Sequence, residues 1–124
     1  MPRLVLTQAM KVKRWGLYLV NLNPAKGTKP GKVRPVVVIQ DDVLNQLDHP
    51  STVILPISSQ VNKPCHFPLR VFLPKAESGL EKDSVILVDQ IMAWDNRLFL
   101  KELGFLSSVK TLELESACRE FFGW

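Results

Sequence analysis

Arg34 stands immediately before Pro35-Val36-Val37-Val38-Ile39, at the mouth of a β-branched run. Pro35 fixes its own backbone and biases the residue before it toward an extended conformation, which holds the guanidinium at the entrance of a rigid strand. A guanidinium there, next to the basic loop that precedes it, suits a two-pronged grip on a phosphate. The competing reading is an ion pair with one of the acids further along the chain. A second cluster, Pro56-Ile57-Ser58-Ser59-Gln60, closes another apolar run. Its hydroxyls either terminate the strand, the usual work of such residues, or hydrogen-bond a phosphate, with Ser58 and Ser59 on opposite faces if the strand continues. The third cluster is Asp89-Gln90, at the exit of Ser84-Val85-Ile86-Leu87-Val88. There, hydrogen bonding that pins the following loop competes with a functional role.

Charge favours a polyanion as the partner of these groups. Residues 1–40 hold Arg3, Lys11, Lys13, Arg14, Lys26, Lys29, Lys32 and Arg34 and no acid, a segment of +8. The remaining residues carry eight bases and twelve acids, or −4, so one basic surface is backed by a nearly neutral body. An uneven but merely solvated surface is the alternative, and the absence of interleaved acids tilts the balance toward nucleic acid. Metal chemistry finds little support. His49 and His66 are the only histidines, and Cys65 and Cys118 lack the paired spacing of zinc sites. The two cysteines read as reduced structural thiols.

The elements that must position these residues are short. At 124 residues the chain suits one domain, and no apolar run approaches the roughly 20 residues that span a bilayer. Residues 1–13 read as a loose leader of a cytoplasmic protein and 14–124 as the single domain. Strands are expected over Trp15–Leu22, Arg34–Gln40, Val53–Ile57, Phe67–Leu73 and Ser84–Val88, with a last short one over Leu98–Leu100. Arg34–Gln40 is a β-branched run continuous enough to be buried on both faces. Asp41-Asp42 can cap a short helix reaching about Leu47. After Ser107-Ser108, the residues Val109, Leu112, Ala117 and Phe121 fall near one face of a helix that runs to about Phe122. Five or six short strands and one terminal helix describe a mainly β protein built as a small, strongly bent barrel.

Taken in order, Arg14-Trp15-Gly16-Leu17-Tyr18, Asn23-Pro24, Lys26-Gly27-Thr28, Arg34-Pro35, Pro56-Ile57-Ser58 and Asp89-Gln90-Ile91 resemble the MazF/PemK toxin family. The resemblance runs from Arg14 to the C-terminal helix. It implies an SH3-like β-barrel of the CcdB/PemK type with a C-terminal helix, paired as a homodimer with RNA across the groove. It further implies the toxin of a type II toxin–antitoxin system: a metal-independent, cofactor-free, sequence-selective endoribonuclease acting on single-stranded mRNA in the cytoplasm. In such enzymes the ribose 2′-hydroxyl attacks the adjacent phosphate and leaves a 2′,3′-cyclic phosphate. The partner is an antitoxin whose acidic disordered tail fills the basic groove.

By the same resemblance Arg34 neutralises the transition state and Ser58 holds a non-bridging oxygen, with Asp89 and His66 as alternatives for proton transfer. Arg14, Lys26, Lys29, Lys32, Ser59, Gln60 and Gln90 are the expected RNA contacts. The chain departs from the family pattern in four places. Trp15 stands for Gly, Gly16 for an acid, Lys29 for a frequent Glu, and Met92-Ala93 for a basic residue and a hydroxyl. Two other functions stay open on these departures: a module of the same fold that binds RNA or antitoxin without cutting, and a gyrase poison like the structurally related CcdB family.

Overall fold

In the computed structural model, residues 10–22, 32–61 and 67–124 are described. Seven strands form one antiparallel sheet: β1 (Gly16–Asn21), β2 (Val33–Val38), β3 (Ser51–Ser58), β4 (Arg70–Leu73), β5 (Ser84–Leu87), β6 (Met92–Asp95) and β7 (Phe99–Phe105). Three α-helices accompany them: α1 (Asp42–Gln46), α2 (Lys75–Ser78) and α3 (Ser108–Phe122). A 3-10 turn over Val88–Gln90 follows β5.

The strand path runs β4-β5-β3-β2-β1-β7, with β6 paired to β3 beside it. β3 is the hub. Its first half pairs with β6 over Ser51–Ile54, its middle with β2 over Ile54–Pro56, and its end with β5 over Ile57–Ser58. Pro56 therefore falls between the residues that β6 takes and those that β5 takes, a position where a missing N–H costs least.

The mainly β architecture with a closing helix is as expected, but the bent sheet stays open, because the ends of its path, β4 and β7, do not pair. Closure would need long end strands in matched register. β4 offers four residues, and the β1–β7 ladder shifts register between Leu17 and Tyr18 and again between Leu19 and Val20.

Alternation explains why the Val36–Val38 run is wholly buried. One core cluster takes Leu17, Val37, Leu55 and Ile57, and lies under Leu114 and Ala117 of α3. The other takes Tyr18, Val20, Val36, Val38 and Ile54 together with Val12 and Phe99. Successive residues of each central strand thus serve opposite faces. Val12 is buried with the second cluster, and residues 1–9 of the expected leader lie outside the described residues.

α3 begins where the serine pair places it, with the Lys110 N–H donating to Ser107 Oγ at 3.1 Å, and it ends at Gly123 with φ +75°. Its buried stripe is Leu114, Ala117 and Cys118, whereas Val109 and Leu112 are exposed at 71% and 67%. Both stripes have helical spacing. Buried Leu106, just before the cap, sets how the helix enters and so which stripe faces inward.

Two departures from the family pattern have a physical cause at the start of β1. Trp15 adopts φ +68°, a region that glycine enters freely and a bulky residue does not. The conformation is held from both sides: the Trp15 N–H donates to the Val38 carbonyl at 2.7 Å, and the Leu106 N–H donates to the Trp15 carbonyl at 3.0 Å. At Gly16, an added Cβ would stand 2.6 Å from Tyr18 Cε1 and 3.0 Å from the Lys13 carbonyl oxygen. Tyr18 is fully buried, and its hydroxyl accepts the Lys13 N–H at 2.9 Å, so the ring has nowhere to go. Gly16→Ala is therefore expected to destabilise the fold by about 1–3 kcal/mol, read as a lower urea midpoint. An unchanged midpoint would show that the Tyr18 ring yields.

Candidate active site

The two side chains singled out first are brought together by sheet register. β2 pairs with β3 through Val36–Pro56, and carrying that antiparallel pairing two residues further faces Arg34 to Ser58. Both line one cleft of about 290 Å³, with Lys32, Gln60 and Gln90 as its other polar residues and Leu22, Pro56, Ile57, Leu87 and Met92 as its apolar wall. Pro35 and Ser59, one residue on, line a different hollow with Leu19, Lys82 and Lys101. β3 ends at Ser58, so the strand does not continue through Ser59, and Ser59 stands apart from the Arg34 cleft.

Among the described residues no acid lines this cleft. The ion pairs among the described residues are Lys11–Asp48, Arg14–Asp41, Arg70–Asp89, Arg97–Asp95 and Lys110–Glu113, and none uses Arg34. The ion-pair alternative for Arg34 therefore finds no carboxylate. Arg34 and Lys32 leave positive charge uncompensated in a partly enclosed space, a favourable place for a phosphate. Ser58 is prepared as a donor: its Oγ accepts the Gln60 N–H at 3.1 Å, which leaves its own hydrogen for another acceptor.

The remaining candidates fall elsewhere. The Asp89 carboxylate is engaged by Arg70, which also donates to the Leu69 carbonyl at 2.9 Å, and Asp89 does not line the cleft. This pair fixes the turn from which Gln90 reaches the cleft. His66, Lys26, Lys29 and Cys65 lie outside the described residues. Among the described residues no three His, Cys, Asp or Glu side chains gather as a metal site, and no helix is long and apolar enough to cross a membrane.

Arg14 is placed away from Arg34. Its guanidinium sits 4.4 Å from the centre of the Trp15 ring, its Nε donates to the Ile39 carbonyl at 3.1 Å, and Asp41 lies 3.7 Å off. It lines a larger hollow of about 560 Å³ with Trp15, Cys118, Phe122 and Trp124. Burial pushes the Cys118 thiol up.

The Arg14 backbone N–H donates to Asp42 at 2.9 Å, and this bond, seconded by the Asn45 amide, holds the Asp42 carboxyl below its ordinary range. A depressed folded pKa means stability that is present above the unfolded value and lost as pH falls through the folded one. Asp42→Asn should accordingly lower stability at pH 7, and the gap to the parent should close below about pH 4 in denaturant titrations. A gap that persists in acid would mean the effect is not one of charge.

Sequence reasoning missed Met92 as a wall of the cleft, because β6 was not anticipated, and Leu22, which it placed only as the end of the first strand. The available signal was alternation: Met92 and Trp94 pack inward while Ala93 is exposed. Trp94 is a core residue whose Nε1 donates to the Asn21 carbonyl at 2.8 Å.

The chain thus combines a bent antiparallel sheet and one covering helix with a cationic cleft at the strand ends that no described acid lines, an arrangement suited to an anion. The chain belongs to the family described as PemK-like, MazF-like toxins of type II toxin–antitoxin systems, whose profile matches residues 13–122. It is 38% identical over 106 residues to a Staphylococcus epidermidis protein named Endoribonuclease MazF, covering 86% of this chain and 87% of that one. Among solved structures, MazF from Deinococcus radiodurans superposes with a TM-score of 0.71 at 21% identity, over 93% of this chain and 99% of the other. A mycobacterial endoribonuclease in complex with its cognate antitoxin gives 0.72 at 12% identity, over 90% and 95%. These two likenesses carry the fold.

Proposed function

We propose that this toxin is a homodimeric, sequence-selective, metal-independent endoribonuclease that cuts single-stranded mRNA in the cytoplasm. The observation that carries the reading is the shared cleft of Arg34 and Ser58, lined by no described acid and open to a ribose-phosphate strand. The 2′-oxygen attacks phosphorus, the bond to the 5′-oxygen breaks, and the products are a 2′,3′-cyclic phosphate and a 5′-hydroxyl. Negative charge grows on the non-bridging oxygens during this step. Arg34 stabilises it, Ser58 donates to one oxygen, and the strand ends hold both donors in place before reaction. Proton transfer is assigned to His66, since Arg70 engages Asp89 outside the cleft, and RNA contacts to Lys26, Lys29, Lys32, Gln60 and Gln90; Ser59 and Arg14, which line other hollows, are not among them. Kinship with a protein named Endoribonuclease MazF supports this reading. A solved relative bound to its cognate antitoxin supports a partner whose acidic tail covers the basic cleft.

The test is incubation of the purified protein with a long single-stranded RNA in EDTA. Discrete fragments ending in cyclic phosphate are expected. Binding without cutting would replace the enzyme by a binding module, and inhibition of DNA supercoiling with RNA left intact would point to a gyrase poison.

A further inference from the structure

Two walls of the cleft come from strands that do not pair with each other. Leu22 and Lys32 stand at the end of the β1–β2 ribbon, whereas Gln90 and Met92 stand where the 3-10 turn runs into β6, which pairs only with β3. Arg34 and Ser58 are carried by β2 and β3, which pair directly, but no ladder sets the distance from β1 to β6. Among the described residues one hydrogen bond joins those two strands: Trp94 Nε1 donates to the Asn21 carbonyl at 2.8 Å. We propose that Trp94 is a positioning residue, whose bond to Asn21 sets the spacing of the cleft walls and so the grip of Lys32 on the RNA backbone. The ligand rests on the nuclease reading; the residue itself touches no RNA.

The two ends of this bond are unequally held. On β6, Trp94 pairs with Thr52 of β3, and the Thr52 hydroxyl donates to Asn96 Oδ1 at 2.6 Å. The Asn96 side-chain amide donates in turn to the His49 carbonyl at 2.7 Å, so this end is fixed. On β1, the ladder with β7 stops at Val20–Phe99, and Asn21 lies one residue past it. From there the ribbon has β2 alone: Asn21 faces Val33, and the Leu22 N–H donates to the Lys32 carbonyl at 2.9 Å. A two-stranded end with one unpaired flank opens readily. Without the indole N–H, the Asn21 carbonyl would turn toward water for a new partner and draw Leu22 and Lys32 away from Met92.

The test compares the parent with Trp94→Phe and with a protein carrying the benzothiophene analogue of tryptophan at position 94, which keeps the shape of indole and lacks its N–H. In the free proteins, the Leu22 amide should exchange about tenfold faster in both than in the parent, while the Val37 amide exchanges as before. A single-stranded RNA made 2′-deoxy at its mapped cut should bind about tenfold more weakly, and the slope of log affinity against log salt should fall by about 0.7, the loss of one phosphate contact. With cleavable RNA, KM should rise by a similar factor and kcat stay within about twofold, because β2 and β3 still carry Arg34 and Ser58. Should the Phe variant not fold, the isosteric analogue decides. Unchanged Leu22 exchange overturns the proposal whatever RNA does. Faster exchange with affinity and salt slope unchanged overturns it too, since the bond then serves stability alone, and so does a lower kcat at constant KM. A parent that neither binds nor cuts RNA sinks the nuclease reading, and Leu22 exchange still decides whether the bond holds the wall.

Discussion

Arg34→Ala should abolish RNA cleavage, by a hundredfold in rate or more, and leave the protein folded. The side chain is only partly buried at the end of β2, and no described carboxylate pairs with it, so its removal leaves no buried charge behind. What is lost is the fixed positive charge that meets the oxygens of phosphorus as they become more negative. Arg34→Lys should recover part of the rate, since charge remains but the planar fork that grips two oxygens does not. Single-turnover cleavage of a defined oligonucleotide, with circular dichroism alongside, reads both. A near-normal rate for Arg34→Ala would remove Arg34 from the chemistry.

For Ser58→Ala the expected loss is also large, about ten- to a hundredfold, but incomplete, because water can stand in for a positioning hydroxyl. Its fold should survive: Ser58 closes β3, and the Gln60 N–H it now holds lies at the exposed surface where solvent can replace it. Ser58→Thr keeps the hydroxyl on a β-branched frame that a strand accepts, and most of the rate should return. Should Ala and Thr behave alike, the hydroxyl is not the working group.

How much of this was legible beforehand differs from element to element. The nearness of Arg34 and Ser58 was implicit in two strand ends of opposite direction, although only the folded sheet shows that they line one cleft. Arg34–Gln40 was read as buried on both faces. That holds for Val36–Val38, where a β-branched run with no polar alternation has no face to give to water, while Arg34, Pro35 and Ile39 are only partly buried. β6 was not read, since Met92-Ala93-Trp94-Asp95 is short and becomes a strand through its pairing with β3. β7 was read as Leu98–Leu100 but extends over Phe99–Phe105, because exposed Lys101 and Glu102 hide its continuation. In the site, Asp89 was legible as a polar strand exit, but its Arg70 partner lies 19 residues away and no local pattern connects them. Arg14 belonged to the acid-free segment by count, yet its contacts are with Trp15, Ile39 and Asp41 rather than the cleft.

Because the strand path never joins its own ends, a backbone rim remains at each end that could template the addition of stray strands. One rim, β4, is too short to hold a visitor for long. Along the other, the exposed charges of Lys101 and Glu102 and the irregular ladder behind them make a poor match for a flat incoming strand. The irregularities that keep the sheet from closing thereby also discourage one molecule's edge from zipping onto another's.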